Sequence, residues 1–133
     1  RRRDALEAEL GRVRRIAAFS PYQPVADRQV KRFFEEAGFD VVRVTGLRCK
    51  SATAIADVRE SELRTVLRDL DGPDVDAIVQ AGTNLSMVRL ADEAERWLGK
   101  PVIAINAATF WHALRACGIS DRFAGYGSLL REH

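Results

Sequence analysis

The stretch Val75-Asp-Ala-Ile-Val-Gln-Ala-Gly-Thr-Asn-Leu-Ser86 decides the fold of this 133-residue chain. Its first part, Val75 to Ala81, is an apolar run with the length of a buried strand. Gly82-Thr83-Asn84 follows directly, and a helical pattern then runs from about Leu85 to Leu98 and stops at Gly99. We interpret the stretch as a buried parallel strand, a tight turn and a helix that begins at once.

Three other short apolar runs have the same character and predict strands over Arg15 to Ser20, Phe39 to Val44 and Pro101 to Asn106. Patterns with helical spacing separate the runs, and one more precedes the first run. They predict helices over Asp4 to Leu10, Pro24 to Ala37, Thr53 to about Arg59, a segment capped by Ser61 that ends at Leu70, and Thr109 to Cys117.

Strands that alternate with helices predict an α/β fold with a parallel sheet. Right-handed crossovers give a three-layer α/β/α arrangement with a four-stranded parallel sheet and flavodoxin-like topology. We expect the strand order 2-1-3-4, with residues 1–133 forming a single α/β lobe.

The polar residues that follow the strands are expected to meet at one edge of this sheet. They are Ser20-Pro21-Tyr22, Thr45-Gly46, Gly82-Thr83-Asn84 and Asn106. In open α/β sheets, ligands bind beyond the carboxyl ends of the strands, near the point where strand order reverses. The sequence therefore places its candidate site at this edge.

Gly82 to Leu85 is the strongest candidate for binding an anion such as a carboxylate. Gly82 lets a ligand approach the backbone, and Thr83 and Asn84 can donate hydrogen bonds. The N–H groups from Gly82 to Leu85 and the partial positive charge of a helix N-terminus would add to the attraction. The alternative is that Thr83 or Asn84 simply caps the helix, and the residues alone do not decide between the two.

Other polar residues also have two interpretations. Tyr22 follows the first predicted strand and Asn106 ends the fourth, and each could contact a ligand or cover the edge of the core. His112 is interpreted as a packing or surface residue, because with His133 as the one other histidine the chain has no pattern of metal ligands.

The composition excludes several classes of function. A net charge of +2 is too small to indicate a nucleic-acid partner, and no apolar run reaches the roughly 18 residues of a membrane span. Cys49 and Cys117 predict free thiols in a reducing, cytoplasmic setting, with Cys117 expected in the core. No motif calls for a metal or an organic cofactor.

Several segments together resemble the aspartate/glutamate racemase superfamily, and most closely its maleate cis-trans isomerase and arylmalonate decarboxylase branch. The resemblance covers nearly the whole chain, and the spacing between the segments also agrees. The segments are Phe19-Ser-Pro-Tyr22, Phe33 to Phe39, Asp76 to Leu85, Leu98-Gly-Lys-Pro-Val102, Trp111-His-Ala-Leu-Arg115 and Gly118-Ile119.

The resemblance implies a lobe that binds a small carboxylic or dicarboxylic acid without a cofactor or metal. Two such lobes close over the acid in that family, with one cysteine from each. Here Tyr22, Thr83 and Asn84 would contact the substrate, while Gly82 stands where the cysteine of this lobe belongs. The loop Lys50-Ser-Ala-Thr53 also lacks the Asp-Asn pair that related enzymes often carry.

The resemblance therefore leaves three functions open for this chain. It could be part of a cofactor-independent isomerase, racemase or decarboxylase, a carboxylate-binding module without turnover, or an assembly module. Because the chain matches only the second lobe, we expect a homo-oligomer or a first lobe that precedes Arg1. We expect the chain alone to show no turnover.

Overall fold

The computed structural model describes residues 13–133, which form one parallel sheet with helices packed against it. The strands are β1 (Arg15–Ser20), β2 (Asp40–Gly46), β3 (Ala77–Gln80) and β4 (Val102–Ala104). The helices in this part of the chain are α1 (Pro24–Glu36), α2 (Ala52–Ala56), α3 (Glu60–Leu70), α4 (Val88–Leu98), α5 (Ile105–Ala116) and α6 (Ser128–Glu132). The helix predicted over Asp4 to Leu10 lies outside the described residues.

The sheet confirms the predicted topology. Its strands are all parallel and stand in the order β2-β1-β3-β4. Every residue of β3 and β4 is buried, and so is every residue of β1 after Arg15. Strands that are covered on both faces need continuous apolar sequence, which is why short apolar runs identified them.

The order of the strands also sets the layers. The connection from β1 to β2 runs in the opposite direction across the sheet from the connections that reach β3 and β4. Right-handed crossovers therefore place α1 on one face and α3 and α4 on the other. No helix in the part of the chain that the structure describes is long and apolar enough to cross a membrane.

Two predicted boundaries around β4 are wrong. The strand ends at Ala104 rather than Asn106, and α5 begins at Ile105 rather than Thr109. The Ile105 N–H donates to the side-chain oxygen of Gln80 at 3.3 Å instead of continuing the sheet. Asn106 consequently lies in the first turn of α5, not at the end of a strand.

The predicted start of the helix after β3 is also wrong. α4 begins at Val88, and its N-cap is Met87, which makes no side-chain capping bond. Leu85 and Met87 are both buried, at 1% exposure. In a helix, residues i and i+2 lie on opposite sides. Burying both Leu85 and Met87 against one core therefore requires a non-helical segment here.

Smaller differences occur in the segment before β3. The N-cap of α3 is Arg59, so Ser61 lies inside the first turn and does not cap the helix. The short helix α2 covers Ala52–Ala56 and is capped by Ser51, whose hydroxyl oxygen accepts the Ala54 N–H at 3.1 Å. Its predicted range of Thr53 to Arg59 was therefore displaced toward the C-terminus.

A carboxylate joins the amino ends of β1 and β3. Asp76 accepts the Arg15 N–H at 2.9 Å and pairs with the Arg15 guanidinium at 2.8 Å. Hydrogen bonds from the Arg15 side chain, and then from its backbone, lower the pKa of Asp76 from 3.8 to about 2. This pair lies at the end of the sheet opposite to the candidate site.

Candidate functional site

The carboxyl ends of β1 and β3 open into a cleft of about 650 Å³ between α1 and α5. Of the strand-end residues expected to converge, Tyr22, Gly82 and Thr83 lie at this cleft, whereas Thr45, Gly46 and Asn106 do not line it. Apolar side chains such as Phe33 and Ile105 form much of the remaining wall. None of the described residues that line it is an Asp, Glu, Lys or Arg. A bound anion would therefore be held chiefly by hydrogen-bond donors, since His112 is the one basic side chain among these lining residues.

Tyr22 is held beside Gly82. The Tyr22 N–H donates to the side-chain oxygen of buried Ser20 at 3.3 Å, which fixes the start of the loop after β1. The Tyr22 phenol oxygen lies 3.6 Å from the point that a β-carbon on Gly82 would occupy. Gly82 has a φ of +100°, a conformation that favours glycine. The two residues thus meet at the mouth of the cleft.

The backbone after β3 presents three free donors. Within residues 13–133, the N–H groups of Gly82, Thr83 and Asn84 donate to no protein acceptor. The fourth predicted donor, the N–H of Leu85, is used in a turn to the Gly82 carbonyl at 3.4 Å. Three successive unpaired N–H groups form a concavity suited to an anion.

The side chains of Thr83 and Asn84 do not cap α4. Both are exposed, and neither makes a hydrogen bond within the described part of the chain. Because α4 begins only at Val88, its N-terminus does not adjoin Gly82, and the predicted contribution of the helix dipole is wrong. Thr83 lines the cleft, whereas Asn84 and Leu85 lie outside its wall.

Gln80 is the site residue that the sequence analysis did not single out. It is 1% exposed, and its side-chain N–H₂ donates to the carbonyls of Ala81 at 2.8 Å and Gly82 at 2.7 Å. A polar residue in an otherwise apolar buried strand was the signal that could have identified it. Asn106 has a related contact, since its side-chain N–H₂ donates to the Thr83 carbonyl at 2.9 Å.

His112 also lines the cleft, although the sequence favoured a packing or surface role. Its side chain is half-buried, and Nε2 is buried without a hydrogen-bond partner among the described residues. Within residues 13–133, no three His, Cys, Asp or Glu side chains are grouped as metal ligands.

Both cysteines are free thiols, and neither lines the cleft. Cys49 lies beside the loop after β1, because its N–H donates to the Pro21 carbonyl at 3.0 Å and its carbonyl accepts the Gln23 side chain at 2.9 Å. Residue pattern alone did not predict that Cys49 lies beside this loop. Cys117 is exposed at the end of α5, so its predicted place in the core is wrong.

Comparison with known proteins supports both the fold and the family resemblance of the sequence. The family model of arylmalonate decarboxylase matches residues 4–130. The maleate isomerase of Nocardia farcinica is 27% identical over 119 residues, which is 89% of this chain and 47% of that protein. The arylmalonate decarboxylase of Bordetella bronchiseptica is 29% identical over 127 residues, 90% of this chain and 51% of that protein.

Comparison with solved structures also finds similarity to maleate isomerases. A Nocardia farcinica maleate cis-trans isomerase mutant with a covalently bound succinylcysteine intermediate superposes with a TM-score of 0.91 at 26% identity. The match covers 98% of this chain and 53% of that one. The chain therefore spans about half the length of the relatives it matches. Because the family model covers nearly all of its residues, the chain belongs to the arylmalonate decarboxylase family.

Proposed function

We propose that this chain is a carboxylate-binding lobe of a cofactor-independent isomerase, racemase or decarboxylase. Its ligand would be a small carboxylic or dicarboxylic acid at the mouth of the cleft. The observation that carries the proposal is the set of three unpaired N–H groups of Gly82, Thr83 and Asn84 beside the Tyr22 phenol. The names of the relatives, maleate isomerase and arylmalonate decarboxylase, support an acid of this class.

The proposed chemistry of the loop is electrostatic. Removing a proton or CO₂ next to a carboxylate places additional negative charge on the carboxylate oxygens. Hydrogen-bond donors that are already aimed at those oxygens stabilise this charge. The N–H groups of the loop and the hydroxyl of Tyr22 would supply the donors in this lobe, with Thr83 and Asn84 adding side-chain contacts.

The step at carbon is proposed to need a thiol, and no cysteine is among the described residues that line the cleft. The relative with a succinylcysteine intermediate uses a thiol bonded to the acid. In this chain Gly82 occupies the position that the resemblance assigns to the cysteine of the lobe, and Cys49 and Cys117 lie outside the cleft wall. We therefore propose that the lobe binds the acid and that turnover requires a reactive group from elsewhere.

Calorimetry with maleate and with phenylmalonate tests the binding proposal. Tyr22→Phe removes one hydrogen bond to a charged ligand and is expected to weaken binding by about 1–2 kcal/mol. Tyr126→Phe is the matched control, because Tyr126 is 49% exposed against 41% for Tyr22 and lies outside this cleft. Absence of binding to the unmodified chain, or equal affinities for the two variants, would contradict the proposal.

An assembly role is the second candidate, and exposed apolar side chains favour it. Phe33 is 45% exposed on the cleft wall, and Phe110 is 51% exposed on α5. Exposed apolar surface in a continuous patch marks an interaction site. Phe33 and Phe110 line different pockets, and we propose that the cleft wall around Phe33 is covered by a second copy of the chain or by another lobe. Light scattering that finds only monomer at high protein concentration would count against the second copy.

A further inference from the structure

We infer that Gln80 and Asn106 are positioning residues that set the direction of the three N–H donors in the loop Gly82–Asn84. The inference rests on the proposed carboxylate function, because it explains how the site is prepared for an anion. Gln80 lines the cleft, but its side-chain N–H₂ is bonded to the carbonyls of Ala81 and Gly82, and that of Asn106 to the Thr83 carbonyl, so both act through the backbone.

Gln80 holds the first two peptide groups. Its two amide hydrogens point to the carbonyls of Ala81 and Gly82, at 2.8 and 2.7 Å. Its amide oxygen accepts the Ile105 N–H at 3.3 Å. The orientation of the amide is fixed by these partners, since two acceptors lie at one end and a donor lies at the other. At 1% exposure, the side chain has little access to water as an alternative partner.

Asn106 holds the third peptide group from a different element. It lies in the first turn of α5, and its side-chain N–H₂ donates to the Thr83 carbonyl at 2.9 Å. Gln80 also reaches this helix through Ile105. The carbonyls of three successive residues, Ala81 to Thr83, are therefore all held by side-chain amides on β3 and α5.

The consequence follows from the geometry of the peptide bond. In a trans peptide, the C=O of one residue and the N–H of the next point in opposite directions. Carbonyls that are held by Gln80 and Asn106 direct the N–H groups of Gly82, Thr83 and Asn84 the other way. Among the described residues, no protein acceptor bonds to these three N–H groups. A loop held in this way needs little reorganisation when an anion binds.

A purely structural role for Gln80 makes a different prediction. Gln80 satisfies two carbonyls in a buried region, so its loss would destabilise the protein whether or not the loop binds an anion. Asn106 separates the two explanations, because it is exposed and its replacement leaves the core intact. A positioning role predicts that Asn106→Ala lowers anion affinity while the unfolding free energy stays nearly constant.

The experiment combines anion titration with measurement of N–H directions in the folded 133-residue chain. Sulfate and maleate are titrated into the unmodified chain, Asn106→Ala and Gln80→Met, and the N–H directions are taken from residual dipolar couplings. We expect each variant to bind about tenfold more weakly, the loss of one oriented hydrogen bond to an anion. We also expect altered couplings at residues 82–84. Thr65→Val is the control, since its hydroxyl contact to Ser61 lies on distant α3.

A third variant gives a pH readout, which is interpreted together with the dipolar couplings at residues 82–84 because a charged carboxylate would also repel sulfate directly. In Gln80→Glu, a charged carboxylate would repel the Ala81 and Gly82 carbonyls, whereas the protonated acid can donate to one of them. Sulfate affinity should therefore rise as the pH falls from about 8 to about 5, where a buried glutamic acid takes up its proton. The unmodified chain, compared over the same range, should lack this additional rise.

The outcomes separate the inference from the proposed function. If the unmodified chain binds neither anion, the proposed function fails, and the couplings alone decide whether Gln80 and Asn106 orient the loop. If it binds anions and Asn106→Ala binds equally well with unchanged couplings, the positioning inference is overturned. Should Gln80→Met fail to fold, Asn106→Ala still carries the test.

Discussion

The ring of Pro21 occupies the space that a side chain on Gly82 would need. A β-carbon on Gly82 would lie against Pro21 Cδ and 2.7 Å from Cγ, closer than real contacts allow. Gly82 also has a φ of +100°, which strains any residue with a β-carbon. Glycine is thus required by the loop as it stands. A cysteine at this position would need a displaced Pro21 and a different backbone.

We therefore predict that Gly82→Ala and Gly82→Cys each lower the unfolding free energy by about 2–4 kcal/mol, from strain at positive φ and overpacking against Pro21. Gly99→Ala is the control, because Gly99 has a φ of +68° with no atom within 4 Å of its β-carbon position. That variant should lose only about 1 kcal/mol. Equal losses in urea titrations of Gly82→Ala and Gly99→Ala would contradict the role of Pro21.

The exposed side chains of the loop give the second prediction. Thr83→Ala and Asn84→Ala should each weaken maleate binding by roughly 1–2 kcal/mol, through loss of a hydrogen bond to a charged group. Neither side chain has a hydrogen-bond partner within residues 13–133, so stability should change little. Ser86→Ala, an exposed neighbour two residues further on, serves as the control. Calorimetry that finds unchanged affinity in both loop variants would remove these side chains from the site.

The third prediction concerns acid stability. The pKa of Asp76 is about 2 in the folded chain, against an ordinary value of 3.8, chiefly because the Arg15 side chain donates to it. A carboxyl whose pKa falls on folding stabilises the protein above its unfolded pKa, and this contribution disappears as the pH drops through the folded value. Asp76→Asn should therefore be less stable than the unmodified chain at pH 7, and the difference should shrink between about pH 4 and about pH 2.

Urea titrations at several pH values check this prediction. Asp40→Asn is a suitable control, because Asp40 is exposed and begins β2 beside Arg15 without pairing with its side chain. If the difference in unfolding free energy between the unmodified chain and Asp76→Asn stayed constant down to pH 2, the charge of the Asp76 carboxylate would not be the source of that difference.

Much of the fold followed from residue pattern alone. The strands β1 and β3 are buried on both faces, so nearly all of their residues are apolar. A short continuous apolar run was therefore enough to predict each strand. The boundary between β4 and α5 could not be predicted in this way. It is set by the hydrogen bond between Ile105 and Gln80, two residues that are 25 positions apart. A local pattern carries no information about such a partner.

The candidate site was predictable only in part. The positions of Tyr22, Gly82 and Thr83 at one cleft follow from strand ends in a parallel sheet. The role of Gln80 depends on a contact with its own following loop, and the late start of α4 depends on the burial of Leu85 and Met87. Both are consequences of tertiary packing, which overrides the helical propensity of the sequence.

The absence of a thiol from the cleft wall gives the prediction on chemistry. Proton transfer at carbon requires a donor or acceptor within about 3–3.5 Å of the reacting atom. The unmodified chain should therefore catalyse no proton–deuterium exchange into a small dicarboxylate, followed by proton NMR. Clear exchange above a buffer blank, lost in Tyr22→Phe or in His112→Asn, would mean that this lobe carries its own catalytic group, since both side chains line the cleft.

The central claim is that a small carboxylate binds to the N–H groups of Gly82, Thr83 and Asn84. The most direct test is a maleate titration of the ¹⁵N-labelled chain, followed residue by residue in amide correlation spectra. We predict that the largest saturable chemical-shift changes occur at the amides of these three residues, with smaller changes at Tyr22. Unchanged amide signals at residues 82–84, or saturable shifts confined to another surface, would contradict it.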